Sequence, residues 1–402
     1  MSIMLEGIRV VELGTHVAIP KASRVLSEWG AESIKIEPLK GEAWRTMGRL
    51  WNMPYSEDNN PILQSENANK KSLVLNLKDP DGKEALFKLL EQTDIFMTNT
   101  RPKALRKLGI DYESIRERFP KLIYVTLSGY GERGPSKDDP GFDIAAFWAR
   151  SGVCVEWVEK GQKPFKPHPG FGDTSTSWSI VAGVLGALYN RLKTGRGEFI
   201  QTSLYANALW CNSSGIAMSQ RGHTYPKVPE QSTSPFAPLY QSAEGDWILI
   251  SNSAYDTTAP EIFRLVGLPE LAEDPDYIVL ENARKHLGEV IAKLSEAFKT
   301  MHTADIMEGL HKLDIVNLKV RNPAEVVKDP QAWENGYLKE ITLECGETIA
   351  LPTCPISFQD AEIADFHLAP HLGADTREIL TALGYPLEEI QSMADRGVVV
   401  AK

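Results

Sequence analysis

The N-terminal part of the chain alternates short apolar runs with longer amphipathic segments. Residues 8–13 form a short apolar run rich in β-branched side chains, which is typical of a buried strand, and residues 33–37, which Pro38 ends, are predicted as the next strand. Between them, residues 18–29 have a helical period, and Gly30 is a typical helix stop. The pattern therefore predicts a β-α-β unit at the start of the chain.

The same alternation continues further along the chain. Residues 73–77, 94–99 and 122–127 form three more apolar runs, with helical stretches between them. Strands and helices in this order predict a parallel, doubly wound sheet, that is, a Rossmann-like α/β domain. The turn at residues 13–18 lacks the second and third glycines of a dinucleotide fingerprint, and no phosphate-binding P-loop motif occurs. Neither a dinucleotide nor a P-loop phosphate site is therefore supported.

The pattern changes past the middle of the chain. Residues 221–238 are rich in Pro, Ser, Thr and Gln and indicate a linker, whereas residues 239–251 resemble a hairpin that helices follow. These features predict a second, smaller α+β domain. We therefore divide the chain into a large Rossmann-like domain (1–220), a small domain with its linker (221–330) and a return segment that completes the large domain (331–402).

Composition and charge mainly exclude classes of partner. The 402 residues carry a formal net charge of −11, which argues against nucleic acid and anionic membranes as partners. No apolar run is long enough for a membrane span, and the first residues lack the features of a signal peptide. The four cysteines form no C-x-x-C pair, so neither a disulfide framework nor a metal site is expected. These features predict a cytoplasmic protein.

One carboxylate stands at a junction in the pattern. Asp173 follows Gly170 and Gly172 and comes shortly before a long apolar helix predicted over residues 178–192. Asp is a preferred N-cap, because its carboxylate accepts the free N–H groups of the first turn. Small neighbours also suit a nucleophile, because a bulky electrophile can then approach the carboxylate. On local grounds, the helix cap is the better-supported interpretation.

Short motifs stand in fixed order along the chain, at residues 5–13, 30–38, 69–73, 94–99, 129–135, 172–173, 193–197 and 369–376. Together they resemble the class III CoA-transferases, the family of formyl-CoA and carnitine CoA-transferases. The resemblance covers essentially the whole chain. In the last motif, Ala374-Asp375 stands where the family more often has Glu-His.

A closer likeness lies in residues 66–71, 138–143 and 329–333. These segments are similar to the transferases of anaerobic amino-acid fermenters that act on 2-hydroxy acids, such as the phenyllactate and 2-hydroxyisocaproate enzymes. Those relatives tend to have His after the Asp, where this chain has Thr174. We therefore expect Thr174 to influence which acid is accepted.

The resemblance implies that Asp173 is the nucleophile of a CoA transfer. Its carboxylate would attack an acyl-CoA to give a mixed anhydride and then carry CoA as an aspartyl thioester, until an incoming acid reverses these steps. The start of the helix is expected to keep the pKa of Asp173 well below 7. CoA is then a co-substrate, and no tightly bound cofactor is expected.

The family motifs also imply binding residues at the carboxyl ends of the predicted strands. The expected CoA contacts are Val17, Leu75, Lys78, Asn99, Thr100, Arg101, Arg106 and Lys107. The expected residues of the substrate pocket are His16, Asp143, Gly172 and Thr174. The resemblance further implies an interlocked, ring-like homodimer.

The residues leave three other interpretations open. α-Methylacyl-CoA racemases share the fold but use the His of a Gly-His-Asp segment, and the chain has Gly141-Phe142-Asp143, which removes one of the two bases. A nicotinamide-dependent enzyme is opposed by the missing glycines. A non-catalytic CoA-ester-binding protein would have no need of Asp173.

Overall fold

The computed structural model describes residues 3–228, 232–252 and 254–401. Residues 229–231 of the predicted linker lie outside the described residues. The chain divides into two compact units. Unit 1 consists of Met1–Val153, Lys166–Ile216 and Gln331–Lys402, and unit 2 consists of Cys154–Phe165 and Ala217–Pro330.

The strands follow one another along the chain as β1 (Arg9–Leu13), β2 (Glu32–Glu37), β3 (Lys70–Val74), β4 (Ile95–Thr98), β5 (Ile123–Ser128), β6 (Phe199–Ser203), β7 (Tyr240–Gln241), β8 (Trp247–Ser251), β9 (Val316–Lys319), β10 (Leu338–Thr342) and β11 (Thr348–Pro352). The helices of the N-terminal half are α1 (Ala18–Glu28), α2 (Met47–Leu50), α3 (Pro61–Asn67), α4 (Pro80–Leu90), α5 (Pro102–Leu108), α6 (Tyr112–Ile115), α7 (Val153–Glu156), α8 (Phe171–Thr194), α9 (Leu204–Cys211) and α10 (Ser213–Ser219). Those of the C-terminal half are α11 (Tyr255–Leu265), α12 (Pro275–Ile278), α13 (Leu280–Ala283), α14 (Leu287–Phe298), α15 (Thr303–Lys312), α16 (Pro323–Val326), α17 (Pro330–Glu334), α18 (Thr376–Ala382) and α19 (Leu387–Asp395).

Unit 1 is built on a six-stranded parallel sheet with the order β3-β2-β1-β4-β5-β6. This confirms the predicted Rossmann-like α/β fold. The central strands are almost wholly buried, as expected when helices cover both faces of a parallel sheet. The strand order reverses direction between β1 and β4, so the loops that follow these two strands flank the place where such sheets bind ligands.

One face of this sheet packs in a core that the C-terminal helices complete. Val11, Ile34 and Phe96 from the strands lie in one hydrophobic cluster with Leu380 of α18 and Ile390 of α19, and each of these side chains is at most 2% exposed. The last segment of the chain is therefore part of the fold of unit 1.

No helix among the described residues combines the length and the apolar character that crossing a bilayer requires.

Helix α8 is longer than the apolar pattern predicts. It begins at Phe171 rather than near residue 178, because its first turn is built from small and hydroxyl residues that a hydrophobic period does not detect. Gly170 precedes the first turn at φ +100°, a left-handed conformation that favours glycine. Further along, Ile180, Val181 and Val184 bury one face of the helix, which packs against α1.

Unit 2 has its own sheet and its own core. Its three strands are antiparallel in the order β7-β8-β9. Ile248 on β8 packs with Phe263 of α11, Leu294 of α14 and Leu310 of α15, all fully buried. Helices and antiparallel strands together make unit 2 an α+β unit, and it includes Cys154–Phe165, which the predicted bounds of 221–330 leave out.

Candidate active site

The first turn of α8 positions Asp173 as the third residue of the helix. The amide of Thr174 donates to the carbonyl of Gly170 at 2.9 Å, so the chain is already helical when it reaches Asp173. The Asp173 side chain is half-buried. Because Asp173 is the third residue of the helix, it is not the N-cap, and the local interpretation of this residue as a helix cap is wrong.

The carboxylate that occupies the helix start belongs to Asp143. This residue opens a π-helical segment, Asp143–Ala149, and its side chain is buried. Its Oδ2 accepts a hydrogen bond from the amide of Gly170 at 2.8 Å, and the amides of Gly172 and Asp173 act on the same carboxylate at longer range. Asp143 thus uses the helix-start amides that the sequence assigns to Asp173, which leaves the Asp173 carboxylate available for chemistry.

The electrostatics follow from this arrangement. Burial raises the pKa of Asp173 to about 7, and the negative charges of Asp143 and Glu66 act in the same direction. Burial also raises the pKa of Asp143, against the amides of Gly170, Asp173 and Gly172, which lower it. The expectation of a pKa well below 7 for Asp173 is wrong, because the amides that would lower it serve Asp143 instead. A carboxylate with a raised pKa is a better nucleophile once it is ionised.

Gly172 is required by the contact between these elements. A Cβ atom on Gly172 would lie 2.3 Å from Oδ1 of Asp143 and 2.4 Å from Cγ of Phe147. Both neighbours are buried and cannot move into solvent. The glycine therefore lets the helix start approach Asp143 closely.

Replacing Gly172 by alanine is expected to lower the free energy of unfolding by about 1–3 kcal/mol, because the new methyl group overpacks a buried contact. CoA transfer should fall with it, since Asp143 and Asp173 are displaced. Gly186→Ala on the same helix is the matched control. A Cβ at Gly186 meets nothing within 4 Å, so this variant should be as stable as the parent or slightly more so. Urea unfolding of both variants checks the prediction, and equal stabilities would contradict it.

The loop after β1 lies beside the loop after β4 at the reversal of the strand order. The side-chain oxygen of Asn99 accepts from the amide of Thr15 at 3.1 Å, and its Nδ2 donates to the carbonyl of Thr15 at 2.8 Å. Oε2 of Glu42 accepts from the Thr15 hydroxyl at 2.9 Å and from the His16 amide at 3.1 Å. These bonds hold His16 in a left-handed conformation at φ +65°. The structure thus gives Asn99 a structural role next to His16.

A series of ring contacts connects this loop with both flanks of the α8 start. The ring of His16 lies 5.6 Å from that of Phe142 and 5.5 Å from that of Trp44, between centroids. Trp44 contacts Trp51 at 5.4 Å, and Trp51 contacts His168 at 4.8 Å. Phe142 precedes Asp143, and His168 comes two residues before Gly170. The five rings therefore form a continuous aromatic row, and His168 is a member that the sequence analysis does not identify.

The predicted CoA contacts differ in accessibility. Lys78, Arg101, Arg106 and Lys107 are exposed, and Asn99 and Thr100 are half-buried at the end of β4. Leu75, by contrast, is 2% exposed and packs in the core of unit 1, and its amide donates to the carbonyl of Glu37 at 3.1 Å. Val17 is buried too. Its side chain packs against Gly170, where an added Cβ would lie 3.2 Å from Cγ2 of Val17.

A network of buried charged side chains contacts the loop after β1. Nζ of Lys35 and Nζ of Lys70 both donate to Glu12, at 2.9 and 3.1 Å, and Lys35 also lies 3.4 Å from Glu42. Burial lowers the pKa of Lys70 to about 8. Glu42 links this network to Thr15 and His16. Since the charged residues come from separate strands and loops, no local sequence pattern reveals them.

Comparison with known proteins gives concordant matches over the whole chain. The model of CoA-transferase family III matches residues 5–376. The (R)-2-hydroxy-4-methylpentanoate CoA-transferase of Clostridioides difficile is 36% identical, with 98% of this chain and 99% of the relative covered. The cinnamoyl-CoA:phenyllactate CoA-transferase of Clostridium sporogenes is 34% identical, with 99% and 98% covered. Among solved structures, a CAIB/BAIF family protein from Brucella suis shares the fold with a TM-score of 0.84 at 24% identity, over 95% of this chain and 100% of that one.

Proposed function

The chain belongs to CoA-transferase family III and is a CoA-transferase, and we propose that it transfers CoA to a 2-hydroxy acid through a thioester on Asp173. The observation that carries the proposal is the Asp173 carboxylate in the first turn of α8. It is half-buried, its pKa is raised to about 7, and Asp143 takes up the neighbouring amides.

The proposed reaction proceeds through two mixed anhydrides. The Asp173 carboxylate attacks the carbonyl of the donor acyl-CoA, the C–S bond breaks, and CoA leaves as a thiolate. The thiolate then attacks the aspartyl carbonyl of the anhydride, which releases the donor acid and leaves CoA on Asp173. The carboxylate of the acceptor acid attacks this thioester and displaces CoA again. Finally, the thiolate attacks the acceptor's acyl carbonyl, which gives the new acyl-CoA and restores Asp173.

The surroundings of Asp173 support an acceptor with a hydrocarbon side chain. The aromatic row of Phe142, His16, Trp44, Trp51 and His168 runs from the residue before Asp143 to the segment just before Gly170. Asp143 and Glu66 add negative charge close to Asp173. An acid with a second carboxylate would therefore be repelled, whereas a branched or aromatic side chain would be accommodated. The acceptor acids in the names of both relatives, 2-hydroxy-4-methylpentanoate and phenyllactate, have this character.

Thr174 is the proposed point of difference from those relatives. It follows Asp173 in the first turn and is half-buried. Its amide is used in the helix and its carbonyl accepts from the hydroxyl of Ser177 at 2.7 Å, so the side chain is the part of Thr174 left for a substrate. We assign it to the acid pocket together with His16, Asp143 and Gly172.

CoA itself carries phosphates, which exposed cations can bind. We propose that Lys78, Arg101, Arg106 and Lys107 supply these cations, with Asn99, Thr100, Val17 and Leu75 beside them. CoA acts as a co-substrate in this scheme. The interlocked homodimer and the cytoplasmic location also stay predictions, the second of them consistent with four free cysteines. Light scattering of the purified protein tests the dimer, and a monomer would contradict it.

A panel of acceptor acids tests the proposed substrate class. With one acyl-CoA donor, (R)-2-hydroxy-4-methylpentanoate and phenyllactate should give kcat/KM values at least about tenfold above those for succinate and oxalate, because a pocket contact is worth roughly this much discrimination. Chromatography of the CoA esters follows both product and donor. A preference for either dicarboxylate would overturn the assignment of the acid while leaving CoA transfer itself intact.

A further inference from the structure

The imidazole of His16 has one nitrogen engaged and one nitrogen open. Nδ1 lies 3.2 Å from Oγ1 of Thr15. Among the described residues, no hydrogen bond reaches Nε2. The side chain is half-buried, so part of the ring stays within reach of a small molecule. The reaction derived above gives this nitrogen no role.

The bonds of Thr15 determine which nitrogen of His16 carries the proton. The hydroxyl of Thr15 donates to Oε2 of Glu42 at 2.9 Å. The same carboxylate oxygen accepts from the amides of His16 and Trp44, at 3.1 Å each. Because a hydroxyl has a single proton to donate, Oγ1 of Thr15 can only accept from Nδ1. Nδ1 therefore carries the proton, and Nε2 is left with a lone pair.

The surroundings also favour the neutral imidazole that this tautomer requires. Burial lowers the pKa of His16 below its ordinary value of 6.5. The charged groups that act on the ring are Glu42, which opposes this shift, and Lys35, which adds to it. The ring is therefore mainly neutral at pH 7, and a neutral imidazole with its proton on Nδ1 is a hydrogen-bond acceptor at Nε2.

The imidazole lies beside the start of α8. Val17, the next residue, packs against Gly170, which comes three residues before the nucleophile. On the other side, the ring of Phe142 lies 5.6 Å from the ring of His16, and the carboxylate of Asp143 accepts from the amide of Gly170. Both neighbours of the imidazole thus lead to the first turn of α8.

The loop holds the ring in a fixed orientation. His16 has φ +65°, a conformation that is uncommon for residues other than glycine and is often found at functional sites. Asn99 bonds to the amide and to the carbonyl of Thr15, and Glu42 bonds to the amide of His16. The direction of the lone pair on Nε2 is therefore set before a substrate binds.

An acceptor nitrogen at this position distinguishes among the groups of the substrates. The carboxylate of an acid, the carbonyl of a thioester and the thiolate of CoA all accept hydrogen bonds, and none of them donates. The hydroxyl group of a 2-hydroxy acid does donate, and it stands on the carbon next to the reacting carboxyl group. It is thus the donor of the acid that matches Nε2.

We propose that Nε2 of His16 accepts a hydrogen bond from the 2-hydroxyl group of the acceptor acid and thereby selects 2-hydroxy acids over acids that lack this group. The inference rests on the proposed function and adds the residue that recognises the hydroxyl group. A site built to pair with a hydroxyl group discriminates strongly against the analogue without it, because its own polar group is then left unpaired.

The ratio of kcat/KM between two acceptor acids tests the inference. With one acyl-CoA donor, (R)-2-hydroxy-4-methylpentanoate should exceed 4-methylpentanoate by at least about 100-fold in the parent. In His16→Asn the ratio should fall below about tenfold. Asparagine tolerates a positive φ, so the loop is retained, but its side chain is too short to place an acceptor where Nε2 lies. His16→Gln has a longer amide side chain and should restore part of the ratio.

A control and a spectroscopic measurement complete the test. His311→Asn changes an exposed histidine of α15 and should leave the ratio unchanged. Nitrogen NMR of the histidine-labelled full chain, with His16→Asn to assign the signal, should show the proton of His16 on Nδ1. Thr15→Val should weaken this preference and lower the ratio several-fold, because Nδ1 loses its acceptor.

Three results would overturn the inference. A proton on Nε2 in the parent would leave no acceptor for the hydroxyl group. Equal use of the two acids by the parent, or equal losses with both acids in His16→Asn, would assign His16 to the loop or to the amide N–H groups of CoA, with CoA transfer to 2-hydroxy acids still standing. Transfer to neither acid by a parent that still forms the thioester on Asp173 would overturn the proposed acceptor class, and this inference with it.

Discussion

Replacing Asp173 by alanine is expected to abolish CoA transfer, with kcat lower by at least about 10³-fold, because the proposed nucleophile is lost. The free energy of unfolding, by contrast, should not fall. The pKa of Asp173 is raised from 3.8 to about 7 in the folded chain, so its charge costs the folded state increasingly as the pH rises between these values. Removing the carboxyl group removes that cost. Above about pH 7, the free energy of unfolding of the variant should therefore be at least as high as that of the parent.

Asp138→Asn is the control for this experiment, since Asp138 is an exposed carboxylate on the loop that leads to Asp143. It should leave both rate and stability unchanged. Rates from CoA-ester chromatography and midpoints from urea unfolding are to be measured on the same preparations. A fully active Asp173→Ala variant would remove the nucleophile from the account. A variant that is inactive and also strongly destabilised would return Asp173 to the role of a structural residue.

Replacing Asp143 by asparagine should change the pH dependence of CoA transfer. In the parent, transfer should rise with pH through an acidic limb near pH 7, where Asp173 ionises. Without the negative charge of Asp143, the pKa of Asp173 falls, and this limb moves to lower pH. Stability should change little, because the pKa of Asp143 is already raised by burial and the asparagine side-chain oxygen still accepts from the amide of Gly170. On the plateau, kcat should fall at least about tenfold, because the amides around Gly170 are held less firmly.

The pH–rate profile is the decisive readout for Asp143, since a merely structural residue would lower the rate without moving the acidic limb. Profiles of the parent, Asp143→Asn and Asp138→Asn, measured at saturating substrate, separate the two cases. An acidic limb that stays at the same pH in Asp143→Asn would show that the two carboxylates are not coupled.

The fold is largely predictable from the sequence because each part of it has a local cause. The strands β1, β2 and β5 carry β-branched residues and are buried along most of their length, as expected for a parallel sheet with both faces covered. The boundaries are less predictable. Helix α8 extends to Phe171 because Asp143 supports its first turn, and Asp143 lies 27 residues before Gly170, outside any local pattern.

The roles of residues in the candidate site depend even more on contacts between residues that are distant in sequence. Asp173 and Asp143 are both evident from their motifs, yet the division of labour between them depends on which carboxylate receives the amides of the helix start. The sequence favours Asp173, because it is the nearer residue, whereas the fold gives the amides to Asp143. Leu75 is buried in the core of unit 1, and its contact with CoA stays a prediction. His168 carries no sequence signal beyond its proximity to Asp173.

Chemical trapping of the intermediate tests the central claim most directly. The protein is incubated with an acyl-CoA, treated with borohydride or hydroxylamine, and digested for peptide mapping by mass spectrometry. We predict that the modification is found on Asp173, that it depends on the acyl-CoA, and that it is absent from Asp173→Ala and present in Asp138→Asn. An active enzyme that shows no modification, or one modified at another residue such as Asp143, would contradict the aspartyl-thioester mechanism.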